Sequence, residues 1–215
     1  FYNVTFIVPA ESRYTSTVRS LVPVPSGTTP LNLAFAPGGR VSGTVTADDT
    51  GLPLAGVTVD LVALDGLTDV ATATTDVNGH YVTTGVPDGD WLVRFTPADP
   101  FYAGLFFANG GMDPVSIVGH ADVPNVDQSL THYPAITGTV TDDLGAPIAG
   151  VCAEYYGEGD DCLDFTDGAG QYSIPAYYEG PIDLAFYEQH HGLVQATVEA
   201  GPDGGTMNVV MNRLH

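Results

Sequence analysis

The stretch GRVSGTVTADDTGLPLAGVTVDL, residues 39–61, recurs almost unchanged as AITGTVTDDLGAPIAGVCAEY, residues 135–155. A second segment also recurs, TDVNGHY (75–81) as TDGAGQY (166–172). The offset between the two copies falls only from 95 residues at the first segment to 91 at the second. Because the landmarks agree in order and in spacing, the sequence contains a tandem repeat with a period of about 90 residues.

The same spacing extends in both directions along the chain. WLVRF (91–95) recurs as IDLAF (182–186), and YNVTF (2–6) precedes WLVRF by 89 residues. LNLAF (31–35) corresponds in the same way to VDQSL (126–130). The first residues therefore match the back half of a repeat without its front half. The predicted domains are a partial repeat at 1–38, a full repeat at 39–134 and a second full repeat at 135–215.

Within each repeat the apolar residues have a period of two. Val57, Val59 and Leu61 alternate with Thr58 and Asp60, which is typical of half-buried strands. The chain also contains 26 Gly and 16 Pro, which mark turns between short strands. The sequence predicts an all-β fold in which about seven short strands per repeat form a two-sheet sandwich.

The charge of the chain is strongly one-sided. It has 26 Asp and Glu against five basic residues, all of them Arg, for a formal net charge of −21. Such a surface repels nucleic acids and anionic lipid. With no apolar run of 18 residues, the sequence also predicts no membrane insertion.

These motifs resemble the carboxypeptidase regulatory-like, or transthyretin-like, repeats of bacterial and archaeal surface proteins. The resemblance is carried by Gly43–Val57, Thr75–Tyr81 and the strand ending at Phe95, and again by Gly138–Val151 and Thr166–Tyr172. It implies tandem Ig-like sandwiches that serve as non-catalytic stalks, spacers or accessory domains of extracellular proteins. Some related surface domains carry a cross-link between Lys and Asn or Asp, and a chain without Lys cannot form one.

The two cysteines, Cys152 and Cys162, flank one short loop in the second full repeat. Their positions correspond to adjacent strands, with Leu163 and Phe165 predicted to point inward and the cysteines outward. This arrangement favours a disulfide, and a free thiol pair or a metal pair is the alternative. A disulfide would indicate an oxidising, extracellular setting.

Other chemistry-bearing patterns are weak. DVNGHY (76–81) hints at a calcium loop, but an Asx turn is the better interpretation because DGAGQY keeps Asp167 and has no second oxygen-bearing side chain where DVNGHY has Asn78. GEGDD (157–161) is interpreted as an exposed acidic loop. His190 and His191, if extended, would point to opposite sides and could not chelate together, and no zinc or serine-hydrolase motif occurs. We therefore predict no enzyme activity, no cofactor and no metal.

The candidate interface residues are apolar. A partial repeat would leave open strand edges and an uncovered apolar face, and a loop-rich aromatic segment lies within the first full repeat, after WLVRF. The candidates are Val4, Phe6, Leu31, Leu33, Phe35, Phe101, Tyr102, Phe106 and Phe107. A second aromatic group, Tyr155, Tyr156, Tyr177 and Tyr178, is predicted to be exposed. These rings could seal joints between domains or bind sugars. Asn3 lies in an N-glycosylation sequon.

The sequence thus predicts a non-catalytic structural module of an extracellular filament or cell-surface stalk. Its partners would be copies of itself or neighbouring repeats, joined head to tail, with strand complementation at the partial repeat. The alternatives are a carbohydrate- or surface-binding adhesin module, with glycans as partners, and an accessory domain of a secreted hydrolase.

Overall fold

A computed structural model of the chain describes residues 2–9, 12–15, 17–22, 32–107, 112–157 and 162–213. All the regular secondary structure within these ranges is β-strand, so the predicted all-β class is confirmed. Accordingly, the described residues include no helix long and apolar enough to cross a bilayer. The chain forms two compact units, Phe1–Thr131 and His132–His215, called unit 1 and unit 2 below.

Unit 1 begins with a two-stranded antiparallel sheet. β1 (Tyr2–Phe6) pairs with β2 (Thr17–Val22), with Tyr2 opposite Val22 and Phe6 opposite Thr17. The partial repeat at 1–38 and the bounds of the two full repeats remain predictions.

The rest of unit 1 is a sandwich of two sheets. One sheet contains β3 (Gly39–Ala47), β6 (His80–Val86), β10 (Asp122–Val123) and β11 (Gln128–Leu130). The other contains β4 (Thr58–Val62), β5 (Asp69–Thr74), β7 (Gly89–Thr96), β8 (Leu105–Phe106) and β9 (Val115–Ile117). β3 pairs antiparallel with β6 and parallel with β10 and β11. β7 pairs with β4 on one edge and with β8 and β9 on the other.

Unit 2 repeats this topology. Its first sheet contains β12 (Ala135–Asp142), β15 (Gln171–Pro175), β18 (Gly205–Thr206) and β19 (Val209–Met211). Its second sheet contains β13 (Cys152–Tyr155), β14 (Asp164–Phe165), β16 (Gly180–Glu188) and β17 (Gly192–Ala200). β12 again pairs antiparallel with the strand after the turn and parallel with the last two strands.

Each sandwich encloses its own apolar core, as the period of two predicts. In unit 1 the side chains of Val59, Leu61 and Phe95 have no exposed surface, and Phe186 is equally buried in unit 2. The ring of Tyr81 packs edge-on against Phe95 at 5.8 Å between centroids, and Tyr172 packs against Phe186 at 5.1 Å. Burial of such rings supplies a large share of the stabilisation of a small domain.

The repeated Gly and Tyr of the motifs both contact one backbone carbonyl, which lies just before the last strand of each unit. In unit 2 the hydroxyl of Tyr172 donates a hydrogen bond to the carbonyl of Met207 at 2.8 Å. That carbonyl lies so close to Gly138 that a Cβ there would be 1.7 Å away from it. Burial raises the pKa of Tyr172 to about 12, so it remains a donor at neutral pH. Gly43, Tyr81 and Val126 make the same arrangement in unit 1.

The repeated Thr-Asp pair fixes the connection between the two sheets. The hydroxyl of Thr75 donates to the carbonyl of Leu54 at 2.6 Å and accepts from the amide of Val57 at 2.9 Å. Thr166 makes the two equivalent bonds in unit 2 at 2.7 and 2.9 Å. A hydroxyl that satisfies a buried carbonyl and a buried amide at once explains why Thr occupies this position in both copies.

Candidate functional site

The N-terminal hairpin of unit 1 has fewer strand partners, among the described residues, than its sequence counterpart in the sandwich. β1 corresponds in sequence to β7, which has a partner on both edges. β1 pairs only with β2, so one of its edges has no strand partner among the described residues. Val4 and Phe6 lie on the half-buried face of β1, whereas Thr5 is exposed. Asn3, the glycosylation candidate, also lies on the exposed side.

The segment after the hairpin shows the same incompleteness. Residues 32–36 form no strand, although the corresponding residues 128–130 form β11 and pair with β3. Leu33 and Phe35 are half-buried, and the ring of Phe35 meets Phe6 edge-on at 6.4 Å. Four candidate residues, Val4, Phe6, Leu33 and Phe35, are therefore half-buried in this region. Leu31 lies outside the described residues.

A short linking segment, residues 12–15, attaches the hairpin to the sandwich of unit 1. The amide of Thr15 donates a hydrogen bond to the carbonyl of Ala36 at 2.9 Å, and Tyr14 forms an isolated antiparallel β-bridge with Pro37. Arg13 pairs with Asp122 on β10. These contacts are made by the linking segment and not by β1.

The aromatic segment after β7 packs mainly on its own domain. Phe101, Tyr102, Phe106 and Phe107 are all half-buried. Phe106 lies in β8 opposite Arg94, and Tyr102 and Phe107 pack against the core of unit 1. Their assignment as interface residues remains a prediction, and much of their apolar surface is already used within unit 1.

Tyrosines also cluster in unit 2. The rings of Tyr155 and Tyr177 stack at 5.4 Å, and Tyr133 meets Tyr177 edge-on at 5.0 Å. Tyr177 and Tyr178 are 39% and 50% exposed. The expectation that all four tyrosines named from the sequence are exposed was wrong for Tyr155, which is buried and donates a hydrogen bond to the carbonyl of Pro175. Tyr155 lies on an inward-facing position of β13.

The predicted disulfide is present between Cys152 and Cys162, whose Cα atoms are 5.4 Å apart. The predicted inward orientation holds for Leu163, which packs against the core of unit 2. The predicted orientations were wrong for Cys152, which is only 5% exposed, and for Phe165, which is 59% exposed. The chain bends at Leu163, immediately before the two-residue strand β14, so the alternation counted from the sequence does not continue through it. Glu154 lies near both sulfur atoms, but sulfurs bonded to each other are not thiolate ligands. The acidic residues 158–161 of the loop lie outside the described residues.

Replacing both cysteines with serine is expected to destabilise unit 2 by roughly 2–3 kcal/mol, because the bond closes a loop of about ten residues in the unfolded chain. Urea unfolding of the two forms, followed by circular dichroism, measures this difference. The same loss should follow reduction of the wild-type chain. An unchanged midpoint would contradict a stabilising role.

The TDxxG segments form Asx turns. A carboxylate oxygen of Asp76 accepts hydrogen bonds from the amides of Asn78 at 2.8 Å and His80 at 3.0 Å. These bonds lower the pKa of Asp76. Asp167 makes equivalent bonds to Ala169 and Gln171. The geometry supports the turn interpretation of the motif over the calcium loop.

Sequence reasoning missed a cluster at the tip of the β16–β17 hairpin. The two carboxylate oxygens of Glu188 contact Nδ1 of His190 at 2.9 Å and Nδ1 of His191 at 2.7 Å. These two bonds lower the pKa of Glu188 to about 2. The prediction that the two rings point to opposite sides assumed an extended strand. Both residues lie in a turn, which lets both rings face one carboxylate.

Comparison with known protein families supports the family resemblance that the motifs indicate. Residues 40–99 match the carboxypeptidase regulatory-like domain. The match covers most of the first full repeat and confirms the resemblance there. No curated protein matches the chain.

Among solved structures, the shaft pilin SpaA from Lactobacillus rhamnosus GG is similar with a TM-score of 0.48 and 11% identity, covering 82% of this chain and 98% of that one. A streptococcal ancillary pilin has a TM-score of 0.41 and 18% identity, covering 99% and 75%. The Bacillus anthracis TIE protein has a TM-score of 0.37 and 12% identity over 82% of this chain. The chain spans 34% of the length of that protein.

Proposed function

We propose that the chain is a non-catalytic structural module of an extracellular filament or surface stalk, joined end to end with its neighbours through the N-terminal hairpin. The observation that carries the proposal is that β1 has, among the described residues, a strand partner on one edge alone, beside a half-buried apolar face. A two-stranded sheet of this size is marginal in water without further strands or a covered face. Unpaired edges of this kind also act as templates for pairing with another chain.

The internal repeat indicates what the missing strand resembles. On β7, the edge that corresponds to the unpaired edge of β1 is occupied by β4, with Val59 opposite Phe95 and Leu61 opposite Val93. A complementing strand on β1 would then run antiparallel to it and place apolar side chains opposite Phe6 and Val4. Its sequence would alternate apolar and polar residues as Val57–Val62 does. Neighbouring repeats or copies of the chain would supply such a strand.

Unit 2 of a second copy also has edge strands. All of its strands, β12 to β19, are paired within the unit, but β17 ends the order β14-β13-β16-β17, so one of its edges has no strand partner among the described residues. Such an edge could meet β1 without opening the unit. Contacts of this head-to-tail kind extend into open filaments when the rotation between neighbours does not close a ring.

The disulfide and the charge of −21 support an extracellular, cell-surface location. The motif residues support a structural role, because Gly138, Thr166 and Tyr172 all act as internal contacts of the sandwich.

Sedimentation velocity of the full chain over a hundredfold range of concentration tests the assembly. We expect association that Phe6→Asp weakens at least tenfold, because burying a Phe side chain contributes about 1.5–3 kcal/mol. Thr5→Asp, on the exposed face of the same strand, is the matched control and should associate like the wild type. Electron micrographs of the native material should show filaments.

A single monomeric species at every concentration, with residues 1–38 protected from protease, would contradict the proposal. Those residues would then be completed within the chain itself, and the unpaired edge would have no role in assembly.

A further inference from the structure

A groove of about 590 Å³ crosses the outer face of the first sheet of unit 2. In β12 and β15 every second side chain, such as Ile136 and Ile174, faces the core. The alternate side chains therefore face outward and line the groove. Those outward side chains are all polar: Thr137, Thr139, Gln171 and Ser173, joined by Thr206 and Asn208.

Several of these polar side chains have no hydrogen-bond partner within the described ranges. Thr139 and Asn208 bond to each other at 2.9 Å. The side chains of Thr137, Gln171 and Thr206 make no such bond among the residues that the structure describes. Hydroxyl and amide groups of this kind both donate and accept. The groove thus presents several adaptable hydrogen-bonding groups side by side on a rigid sheet.

An exposed aromatic ring borders these groups. Phe165 lines the groove and is 59% exposed. Counting from the shared Thr of the two repeats, the corresponding residue in unit 1 is Thr74, and Ser173 corresponds to Val82. The ring beside the polar side chains is therefore a feature of unit 2 and not of the repeat in general.

The charged groups of the groove are two carboxylates. Asp164 accepts hydrogen bonds from the amides of Phe165 and Ser173, both at 2.8 Å. Asp167 accepts with one oxygen from Ala169 and Gln171, and its second oxygen has no partner among the described residues. None of the described residues that line the groove is Arg or His. Such a site repels anionic ligands, and its carboxylates are strong acceptors for hydroxyl donors.

We propose that this groove binds a neutral oligosaccharide. The flat apolar face of a sugar ring would lie against Phe165, since aromatic rings supply apolar contact area with little loss of side-chain entropy. Its hydroxyls would bond to Thr137, Gln171 and Asp167. The convergent polar groups would fix the orientation of such a ligand, as polar groups do in small-molecule sites. This inference is independent of the assembly proposed for β1.

Isothermal titration calorimetry of the full chain with cellohexaose, xylohexaose, mannohexaose and chitohexaose tests the site. We expect at least one of these neutral oligosaccharides to bind, and Phe165→Thr, which installs the residue of unit 1, to weaken that binding about tenfold or more. Tyr187→Thr is the matched control, because Tyr187 is 53% exposed on the other sheet of unit 2. It should bind like the wild type.

Chemical-shift changes in the NMR spectrum of the wild-type chain should fall on Thr137, Gln171 and Thr206 when the sugar is added. The proposal is overturned if none of the four sugars binds, or if Phe165→Thr and Tyr187→Thr weaken binding equally. It is also overturned if Phe165→Thr alters self-association in sedimentation and leaves sugar binding intact, because the groove would then be a protein contact.

Discussion

Substitution of Gly138 by Ala is expected to destabilise unit 2 by about 3 kcal/mol or more. The added Cβ would lie 1.7 Å from the carbonyl oxygen of Met207 and 2.9 Å from the ring of Tyr172. The first of these atoms belongs to the backbone, so relief requires the last strands to move away from β12. Overpacking usually costs about 1–3 kcal/mol, and displacing Met207 also weakens its bond to Tyr172, which adds about 1 kcal/mol.

Gly168 provides the matched control, because a Cβ there would meet no atom within 4 Å. Gly168→Ala should change the free energy of unfolding by no more than about 0.5 kcal/mol. Urea unfolding gives the free energies, and hydrogen exchange read by mass spectrometry assigns the loss to peptides of unit 2. Equal midpoints for the two variants would show that the Gly138 contact is not required.

Phe186→Ala is expected to cost about 3–5 kcal/mol, the range for removing a fully buried Phe. Phe186 has no exposed surface and packs against Tyr172 at the centre of the unit 2 core. Small domains are stable by only about 5–15 kcal/mol, so the variant should lie close to the limit of folding. For a domain of this size we expect a fall in Tm of roughly 12 °C or more.

The neighbouring Tyr187 serves as the control for this prediction, since it lies on the opposite face of β16 and is 53% exposed. Tyr187→Ala should cost about 1 kcal/mol or less. Differential scanning calorimetry compares the two variants. The assignment of Phe186 to the core would fail if both variants lowered Tm by the same amount.

Much of the fold follows from the sequence alone. The repeated Gly, Thr, Asp and Tyr could be aligned without a structure, because each satisfies a local need that is the same in both copies. Thr75 and Thr166 each bond one carbonyl and one amide, and Asp76 and Asp167 each close a turn. The disulfide was predicted for a similar reason, since two adjacent strands joined by one short loop lie within reach of each other.

Predictions of orientation failed where they assumed that a strand continues. Phe165 was expected to point inward and is exposed, because the chain bends at Leu163. His190 and His191 were expected to diverge and instead share Glu188, because they lie in a turn. A single bend reverses which face a side chain occupies, and the period of the sequence carries no signal of that bend.

The sequence by itself determined the all-β class, the tandem repeat and the residues that lock each sandwich, because these depend on contacts that are close in sequence or identical in the two copies. The sequence also predicted an open strand edge in the first residues, and among the described residues β1 has β2 as its one strand partner. Only the tertiary structure decided that Phe165 borders a polar groove. The groove arises from strands that are distant along the chain and meet only after folding. The pairing of β12 with β15 and β18 is of this kind, and a linear pattern does not specify which side chains such strands bring together.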